Sequence, residues 1–284
     1  MLKQRIITAL ALLAILLPAL FADSPHPFLV LSIVLIAAGS WEWGRMNGFN
    51  SSQSLLSGLL CAILCGFAWW AQWTTESPAW VWWLAGSSWV GLTAWMLSRG
   101  VEAWTLWNRG LRWSIGLGLL FLAWLAMAQA RTASIQLLLS IFVVVWAADV
   151  FAYFFGRALG TKIFSRKLAP SVSPGKSWEG AIGGLIGVFG VAFIWMQLAQ
   201  TYQWPGTNFF THMWQHGPFL WTLSLIFLTA MSVVGDLVES LVKRSAGVKD
   251  SSNLLPGHGG VLDRLDALLP ALPIAMMMLH WPQV

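Results

Sequence analysis

Runs of about 17–22 apolar residues recur along the chain and restrict its fold more than any other feature of the sequence. A helix needs roughly 20 mostly apolar residues to cross a hydrocarbon core of about 30 Å. Within that core each segment must satisfy its own backbone hydrogen bonds, which favours helices. The runs predict an all-α, polytopic transmembrane protein with nine spans, at about 6–22, 27–44, 54–72, 78–98, 112–130, 135–155, 178–199, 218–236 and 265–281.

The composition excludes two other classes of protein. Charged residues make up 10% of the 284 residues and hydrophobic residues 57%, whereas an ordinary soluble domain has about 25% charged residues. So little charge excludes a disordered chain, and the two cysteines are too few for a disulfide scaffold. The remaining class is a protein whose surroundings are mostly lipid.

The basic residues predict the orientation of the spans. With a cytoplasmic N-terminus and nine alternating spans, the C-terminus lies outside and only Arg131 of the sixteen Lys and Arg residues falls outside, as the positive-inside rule expects. The other fifteen are Lys3, Arg5, Arg45, Arg99, Arg109, Arg112, Arg157, Lys162, Arg166, Lys167, Lys176, Lys243, Arg244, Lys249 and Arg264. We interpret the net charge of +5 as topology and substrate charge, and we expect no nucleic-acid partner.

Two segments have other readings. The first run follows Lys3 and Arg5, as in a cleavable signal peptide, but Leu20 stands where a small residue should precede cleavage after Ala22. We therefore favour a retained membrane anchor. The uncharged stretch 200–217 is rich in aromatic residues and is interpreted as an interfacial segment at the depth of the lipid headgroups.

The acidic residues divide the chain into two parts. Seven of the eleven lie in or beside two polar stretches, about 156–177 and 236–264: Asp149, Glu179, Asp236, Glu239, Asp250, Asp263 and Asp266. The other four are interpreted as surface residues near loops: Asp23, Glu42, Glu76 and Glu102. We therefore expect residues 1–134 to form a scaffold of about five spans and residues 135–284 to form the catalytic half, with a site on the cytoplasmic face.

Two polar elements flank the loop between the sixth and seventh runs. Asp149 lies inside a span, where a carboxylate is costly and is normally kept for a function; the alternative is pairing with Arg157 or reaching the interface. Residues 173–180 predict a turn before a helix start, whose N–H groups and Lys176 suit a phosphate. Glu179 is also explained as an ordinary first-turn acid. A seam of small residues predicts close packing of the seventh helix: Gly180, Gly183, Gly184 and Gly187.

The most informative stretch is 235–266. If the eighth helix continues past the membrane, four polar side chains share one of its faces at three- and four-residue spacing: Asp236, Glu239, Ser240 and Lys243. Asp263 and Asp266 share a face at the start of the ninth run, and the glycine-rich loop 256–260 offers backbone N–H groups to an oxyanion. Carboxylates, cations and such a loop suit a Mg²⁺–polyphosphate site.

Residues 240–266 resemble the signature of the phosphatidate cytidylyltransferase family, also called CDP-diacylglycerol synthase. The matching positions are Ser240, Lys243-Arg244, Lys249-Asp250, Ser252, Leu255-Pro256, His258-Gly259-Gly260 and Asp263-Arg264-Leu265-Asp266. Further upstream, Asp149, Tyr153, Gly156, Arg157 and the stretch 173–180 also resemble family elements. The resemblance covers the C-terminal half, and the first five runs contribute only length and hydropathy.

The resemblance implies a reaction of CTP with phosphatidate that gives CDP-diacylglycerol and pyrophosphate. It also implies a bacterial inner-membrane enzyme, with its site facing the cytoplasm, and a homodimer. Both reactants are anions, so the barrier is one of charge repulsion and alignment. Asp236 and Asp263 are expected to hold Mg²⁺, with Asp266 or Asp149 as a further ligand, and a second cation would fit in-line displacement.

For this reaction, the residues of the site can be assigned roles on physical grounds. Catalytic roles are expected for Asp236, Asp263, Lys249, His258 and Arg264. Substrate binding is expected for Tyr153, Lys176, Ser240, Lys243, Arg244, Gly257, Gly259 and Gly260. The cations would neutralise the triphosphate and the lipid headgroup, and the glycines would let the backbone approach the phosphates.

Three other functions fit parts of the pattern. A CTP-using polyprenol kinase would also need a polar loop at the membrane surface, and it would transfer phosphate where a cytidylyltransferase transfers CMP. A secondary transporter would use Asp149 at a midplane site, whereas the carboxylates here cluster at one face. A lipid-binding scaffold would carry a pure polybasic patch, whereas here cations and carboxylates alternate.

Overall fold

A computed structural model describes residues 2–281, with the side chains of residues 2, 3 and 103 outside the description. Lys3, one of the residues used for the predicted orientation, is among these. Eleven α-helices occur in the described residues: α1 Leu2–Phe21, α2 His26–Met46, α3 Ser51–Trp70, α4 Ala79–Arg99, α5 Arg109–Ala133, α6 Ile135–Leu159, α7 Trp178–Thr201, α8 Phe209–Gln215, α9 Pro218–Ser245, α10 Leu262–Leu265 and α11 Leu268–Leu279. A 3₁₀ helix, Val101–Leu106, follows α4.

Every predicted span coincides with one of these helices, and seven of the helices are long and apolar enough to cross a membrane: α1, α2, α3, α5, α6, α7 and α9. The all-α polytopic prediction is confirmed. The other two predicted spans differ from the seven: α4 has the length but is rich in tryptophan, and α11 has only 12 residues. Twelve helical residues reach about 18 Å, less than the hydrocarbon core. The count of nine spans and the orientation stay predictions.

A small antiparallel hairpin precedes α7. Its strands are β1, Lys167–Ala169, and β2, Ser173–Ser177, and they pair with Lys167 opposite Ser177. The side chain of Ser177 then accepts a hydrogen bond from Gly180 N and caps α7, as serine commonly does at a helix start. The sequence predicted a turn at residues 174–175 and no strands. That position is wrong, because residues 173–177 are extended and the turn lies at residues 170–172. The hairpin leads Lys176 directly to the N-terminus of α7.

The helices α6 and α7 pack closely through the predicted glycine seam. A Cβ atom at Gly183 would lie 2.2 Å from the ring of Phe155, and one at Gly187 would lie 2.2 Å from the ring of Phe151. At Gly184 a Cβ would meet the carbonyl oxygen of Ala148 at 2.7 Å. A side chain at these positions would separate the helices, so the structural role of the seam is confirmed.

The stretch 200–217 differs from its prediction. It contains α8, and Phe209 and Phe210 are fully buried in the main hydrophobic core. Its interpretation as an interfacial segment is therefore wrong for these two rings, whereas Trp214 remains exposed. Aromatic composition alone does not distinguish a headgroup anchor from a ring that packs between helices.

Candidate functional site

A polar cavity of about 430 Å³ lies where α6, β2, α7 and α9 meet. Its polar lining combines two carboxylates, two cations and a phenol: Asp149, Asp236, Lys176, Arg157 and Tyr153. Gly156, Gly175 and Gly180 also line it, so backbone is accessible there. The structure thus brings the Asp149 element, the 173–180 element and the start of the 235–266 stretch to one place.

Asp236 is the most connected side chain of this cavity. Its Oδ2 atom lies 2.7 Å from Lys176 Nζ, and its Oδ1 atom accepts a hydrogen bond of 3.2 Å from Ser240 Oγ. The Lys176 ammonium also donates to the carbonyl oxygen of Val233, at 3.2 Å. Both charged side chains keep part of their surface exposed, 23% for Lys176 and 33% for Asp236. A ligand in the cavity can therefore reach both charges.

Two helical turns beyond Asp236 on α9, Lys243 connects two more carboxylates. Its Nζ atom lies 2.5 Å from Glu239 Oε2 and 2.7 Å from Asp263 Oδ1. The three side chains are almost enclosed, with exposed fractions of 12% for Lys243, 8% for Glu239 and 6% for Asp263. The prediction that α9 continues past Gly235 is confirmed, because the helix runs to Ser245. It therefore presents the four predicted side chains on one face: Asp236, Glu239, Ser240 and Lys243.

Asp263 is held by backbone donors as well as by Lys243. Its Oδ2 atom accepts hydrogen bonds from Gly260 N at 2.7 Å, Ser251 Oγ at 3.0 Å and Ser251 N at 3.0 Å. Burial opposes ionisation of this carboxyl, but the Lys243 ammonium and the Gly260 N–H outweigh it and hold the pKa of Asp263 below its usual range. Asp263 is therefore a charged group that joins α9 to the glycine-rich loop.

Asp266 lies three residues farther along the chain and has fewer donors from it than Asp263. Its Oδ1 atom accepts a hydrogen bond of 2.7 Å from Ala267 N, its neighbour in sequence. The backbone packs closely here, because a Cβ at Gly235 would lie 2.5 Å from the carbonyl oxygen of Asp266. This contact brings residue 266 against α9, one residue before Asp236.

The glycines of the loop are explained largely by its conformation. Gly257 and Gly259 have φ angles of +77° and +81°, a region that favours glycine. A Cβ at Gly259 would lie 2.6 Å from Asp263 Oδ2, and one at Gly260 would lie 2.0 Å from Ser251 Oγ. The Gly260 N–H already donates to Asp263. The loop therefore needs glycine at these positions even without a phosphate ligand.

The remaining residues with predicted roles lie at the rim or outside the cavity. Arg157 donates to the Tyr153 hydroxyl at 2.9 Å, and among the described residues it forms no ion pair with Asp149. Arg264 donates through Nε and Nη2 to the carbonyl oxygen of His258. Arg244 and Lys249 are exposed and do not line the cavity. A ligand or a movement of the loop would have to bring them to it.

Two acidic residues have contacts that the sequence interpretation missed or left open. Glu42, interpreted as a surface residue, is fully buried and accepts hydrogen bonds from residues 251–262, so that interpretation is wrong. Asp23, Glu76 and Glu102 are exposed, as expected. Glu179 accepts hydrogen bonds from Ile163 N and Phe164 N, and it thereby fastens the loop after α6.

The donor set suits a hard cation. Carboxylate oxygens are the protein ligands that Mg²⁺ prefers, usually one or two of them with water and phosphate completing the shell. Within residues 2–281 no cluster of three or more ligating side chains is already in place. Two ammonium groups, those of Lys176 and Lys243, lie 2.7 Å from Asp236 and Asp263. Each of these two carboxylates thus already has a cationic partner.

Known proteins resemble the chain along its whole length. Residues 3–281 match the Cytidylyltransferase family. The chain is 37% identical over 290 aligned positions to the phosphatidate cytidylyltransferase of Pseudomonas aeruginosa, with 96% of this chain and 95% of that protein covered. It is 34% identical to the phosphatidate cytidylyltransferase of Haemophilus influenzae, with 96% of each covered. A match at 40% identity to the Bacillus subtilis protein of that name covers 48% of this chain.

Proposed function

Because the chain belongs to the Cytidylyltransferase family, we propose that it transfers CMP from CTP to phosphatidate and releases pyrophosphate. The observation that carries the proposal is the Lys176–Asp236 pair, which lines a cavity at the N-terminus of α7. A helix start, a lysine and a carboxylate together suit a triphosphate that binds with a cation. The family match over residues 3–281 supports the same activity.

In the proposed step a phosphate oxygen of phosphatidate attacks the α-phosphorus of CTP. A new P–O bond forms as the bond to the β-phosphate oxygen breaks, and pyrophosphate carries away the electron pair. The attacking oxygen needs no strong base, because the second pKa of a phosphomonoester is about 6. Lys176 and Lys243, now paired with carboxylates, would turn towards the phosphates and offset the repulsion between the two anions.

Mg²⁺ is part of the proposal. Asp236 and Asp263 would hold it, with Asp149 or Asp266 as a further ligand, and a second cation would suit a displacement between two phosphorus centres. The ammonium groups now found at Asp236 and Asp263 support this assignment. Bound there, Mg²⁺ would neutralise part of the triphosphate charge. Asp149 lines the same cavity as Lys176 and Asp236 and is therefore placed to take part.

The proposed location is the bacterial inner membrane, with the cavity facing the cytoplasm. The cavity lies where the C-terminal parts of α6 and α9 meet the N-terminus of α7, and we expect it at the depth where a phospholipid presents its phosphate. CTP would enter from the water, and phosphatidate would stay in the bilayer. The excess of basic residues on the same predicted side supports this orientation.

Labelled CTP tests the proposed reaction. Protein purified in detergent is incubated with phosphatidate, Mg²⁺ and CTP labelled at either the α- or the γ-phosphorus. Label from the α position should appear in the lipid, and label from the γ position should appear only in pyrophosphate. Label in the lipid from the γ position would instead identify a CTP-dependent lipid kinase, and no lipid product from either would refute both.

Asp236→Asn tests whether this cavity is the site. Loss of the carboxylate should lower kcat/KM at least 100-fold, because electrostatic groups of this kind typically contribute 10²–10³-fold. The matched control is Glu102→Gln, which changes an exposed acid and should leave kcat/KM unchanged. Equal activity of both variants would place the reaction elsewhere.

A further inference from the structure

Glu42 is a buried carboxylate of α2 whose partners all belong to one distant segment. Its Oε1 atom accepts hydrogen bonds from Ser252 Oγ at 2.5 Å and Val261 N at 2.9 Å. Its Oε2 atom accepts from Leu262 N at 2.8 Å and lies 3.2 Å from Ser251 Oγ. The residue has no exposed surface. Such a carboxylate is stable only where donors replace its water.

The partners of Glu42 lie on both sides of the glycine-rich loop. Ser251 and Ser252 precede the loop, and Val261 and Leu262 follow it. One carboxylate therefore fixes the distance between the two ends of the loop. The packing is tight, since a Cβ at Gly260 would lie 2.4 Å from Glu42 Oε1.

Ser251 connects Glu42 to Asp263. Its hydroxyl lies 3.2 Å from Glu42 Oε2 and 3.0 Å from Asp263 Oδ2, so the two carboxylates share its single proton. The Ser251 N–H donates to Asp263 as well. A movement of Ser251 away from Glu42 would thus remove up to two of the donors that orient Asp263.

We propose that Glu42 is a positioning residue, which holds residues 251–262 in the conformation that orients Asp263 for the substrate and its cation. This inference rests on the proposed function in that it takes Asp263 to be part of the site. It assigns a role at the site to a residue of the expected scaffold, residues 1–134, and Glu42 itself touches neither CTP nor the lipid.

The chemistry of the contact distinguishes glutamate from glutamine at position 42. Each carboxylate oxygen accepts from a backbone N–H, Oε1 from Val261 and Oε2 from Leu262. Glutamine would direct its NH₂ group at one of these N–H groups in either orientation, because an amide has only one acceptor oxygen. Glu42→Gln should therefore release one end of the loop, although glutamine has the same shape as glutamate.

Hydrogen exchange tests the proposal without relying on turnover. In detergent, the amides of 251–262 should exchange at least ten times faster in Glu42→Gln than in the wild type, while α3 and α5 stay unchanged. The control is Ser40→Ala, which removes a buried hydroxyl that bonds to Ser57 on α3 and should leave 251–262 protected. Unchanged exchange in Glu42→Gln would overturn the proposal, whether or not the protein makes CDP-lipid.

Kinetics then separate positioning from simple stability. In Glu42→Gln protein that elutes as the wild type does, kcat/KM for CTP should fall at least tenfold and the Mg²⁺ concentration for half-maximal rate should rise. Ser40→Ala should change neither. Should Glu42→Gln fail to fold, Ser252→Ala removes one donor and should show the same shifts, about threefold in size. Normal kcat/KM and normal Mg²⁺ dependence in the folded variant would overturn the proposal for Glu42. A wild type without transfer activity would instead refute the proposed function, and hydrogen exchange would then decide the role of Glu42.

Discussion

Replacing Lys243 with methionine should destabilise the protein more than any change to an exposed cation. Methionine has a similar length but no charge, so Glu239 and Asp263 would lose the ammonium that now lies 2.5 and 2.7 Å away. Both carboxylates are more than nine-tenths enclosed. Glu239 would then have to bury an unpaired charge or take up a proton, and both outcomes lose the ion pair that now stabilises the fold.

The magnitude follows from the contacts that remain. Breaking a buried ion pair by removing one partner costs about 3–5 kcal/mol. Asp263 keeps its backbone donors, Gly260 N and Ser251 N, so the lower end, about 3 kcal/mol, is expected. At roughly 2–4 °C per kcal/mol for a chain of this size, the midpoint of thermal unfolding should fall by roughly 6–12 °C.

The assay heats detergent-purified protein at one fixed rate and measures the fraction that still elutes as a folded species, because unfolding of such proteins is commonly irreversible. Arg244→Met is the control for stability, since it removes an exposed cation next in sequence and should shift the midpoint by less than about 2 °C.

A second variant tests the cause of the loss. In the double variant Glu239→Gln with Lys243→Met, no uncompensated charge remains at position 239, so most of the lost stability should return. Transfer activity should not return, because Lys243 is proposed to neutralise phosphate. A single variant as stable as the wild type, or a double variant no more stable than the single one, would refute the ion-pair reasoning.

Two further predictions concern other parts of the molecule. Gly259→Ala places a Cβ 2.6 Å from Asp263 Oδ2 at a φ of +81°. It should lower stability by about 1–3 kcal/mol, measured by the same heating assay, and it should also lower the transfer activity. Arg131 donates to the carbonyl oxygens of Leu20 and Ala22, so Arg131→Gln should lower the thermal midpoint while KM for CTP stays the same.

The helices could be predicted because their signal is local. A run of apolar residues needs no knowledge of its partners to be recognised, and every predicted run coincides with a helix. The polar face of α9 was predictable for the same reason, since three- and four-residue spacing is a property of one segment. The shortness of α11 could not be predicted. The apolar run 265–281 gives no sign that a separate short helix, α10, ends at Leu265 with Asp266 as its C-cap and that α11 begins only at Leu268.

Contacts between distant segments were beyond the sequence reasoning. Glu42 lies near the end of the predicted span 27–44, where an acid commonly faces solvent, and its partners lie 209–220 residues later in the chain. One feature could have raised suspicion: Glu42 lies between Trp41 and Trp43, without the polar neighbours of an exposed loop. Asp263 was expected to face the metal from the start, whereas the structure surrounds it with donors from the chain.

From the balance of charge at the site we expect a cation to bind together with the proposed substrates. Asp149 and Asp236 line the cavity with Lys176 and Arg157, and farther along α9 Glu239 and Asp263 flank Lys243. A triphosphate and a phosphatidate headgroup both add negative charge to a region that already has more carboxylates than cations. If the lysines turn to phosphate, Asp236 and Asp263 lose their present counter-ions. A bound cation would replace them, so CTP affinity should depend more steeply on Mg²⁺ than the charge of CTP alone would require, and that dependence should weaken in Asp236→Asn.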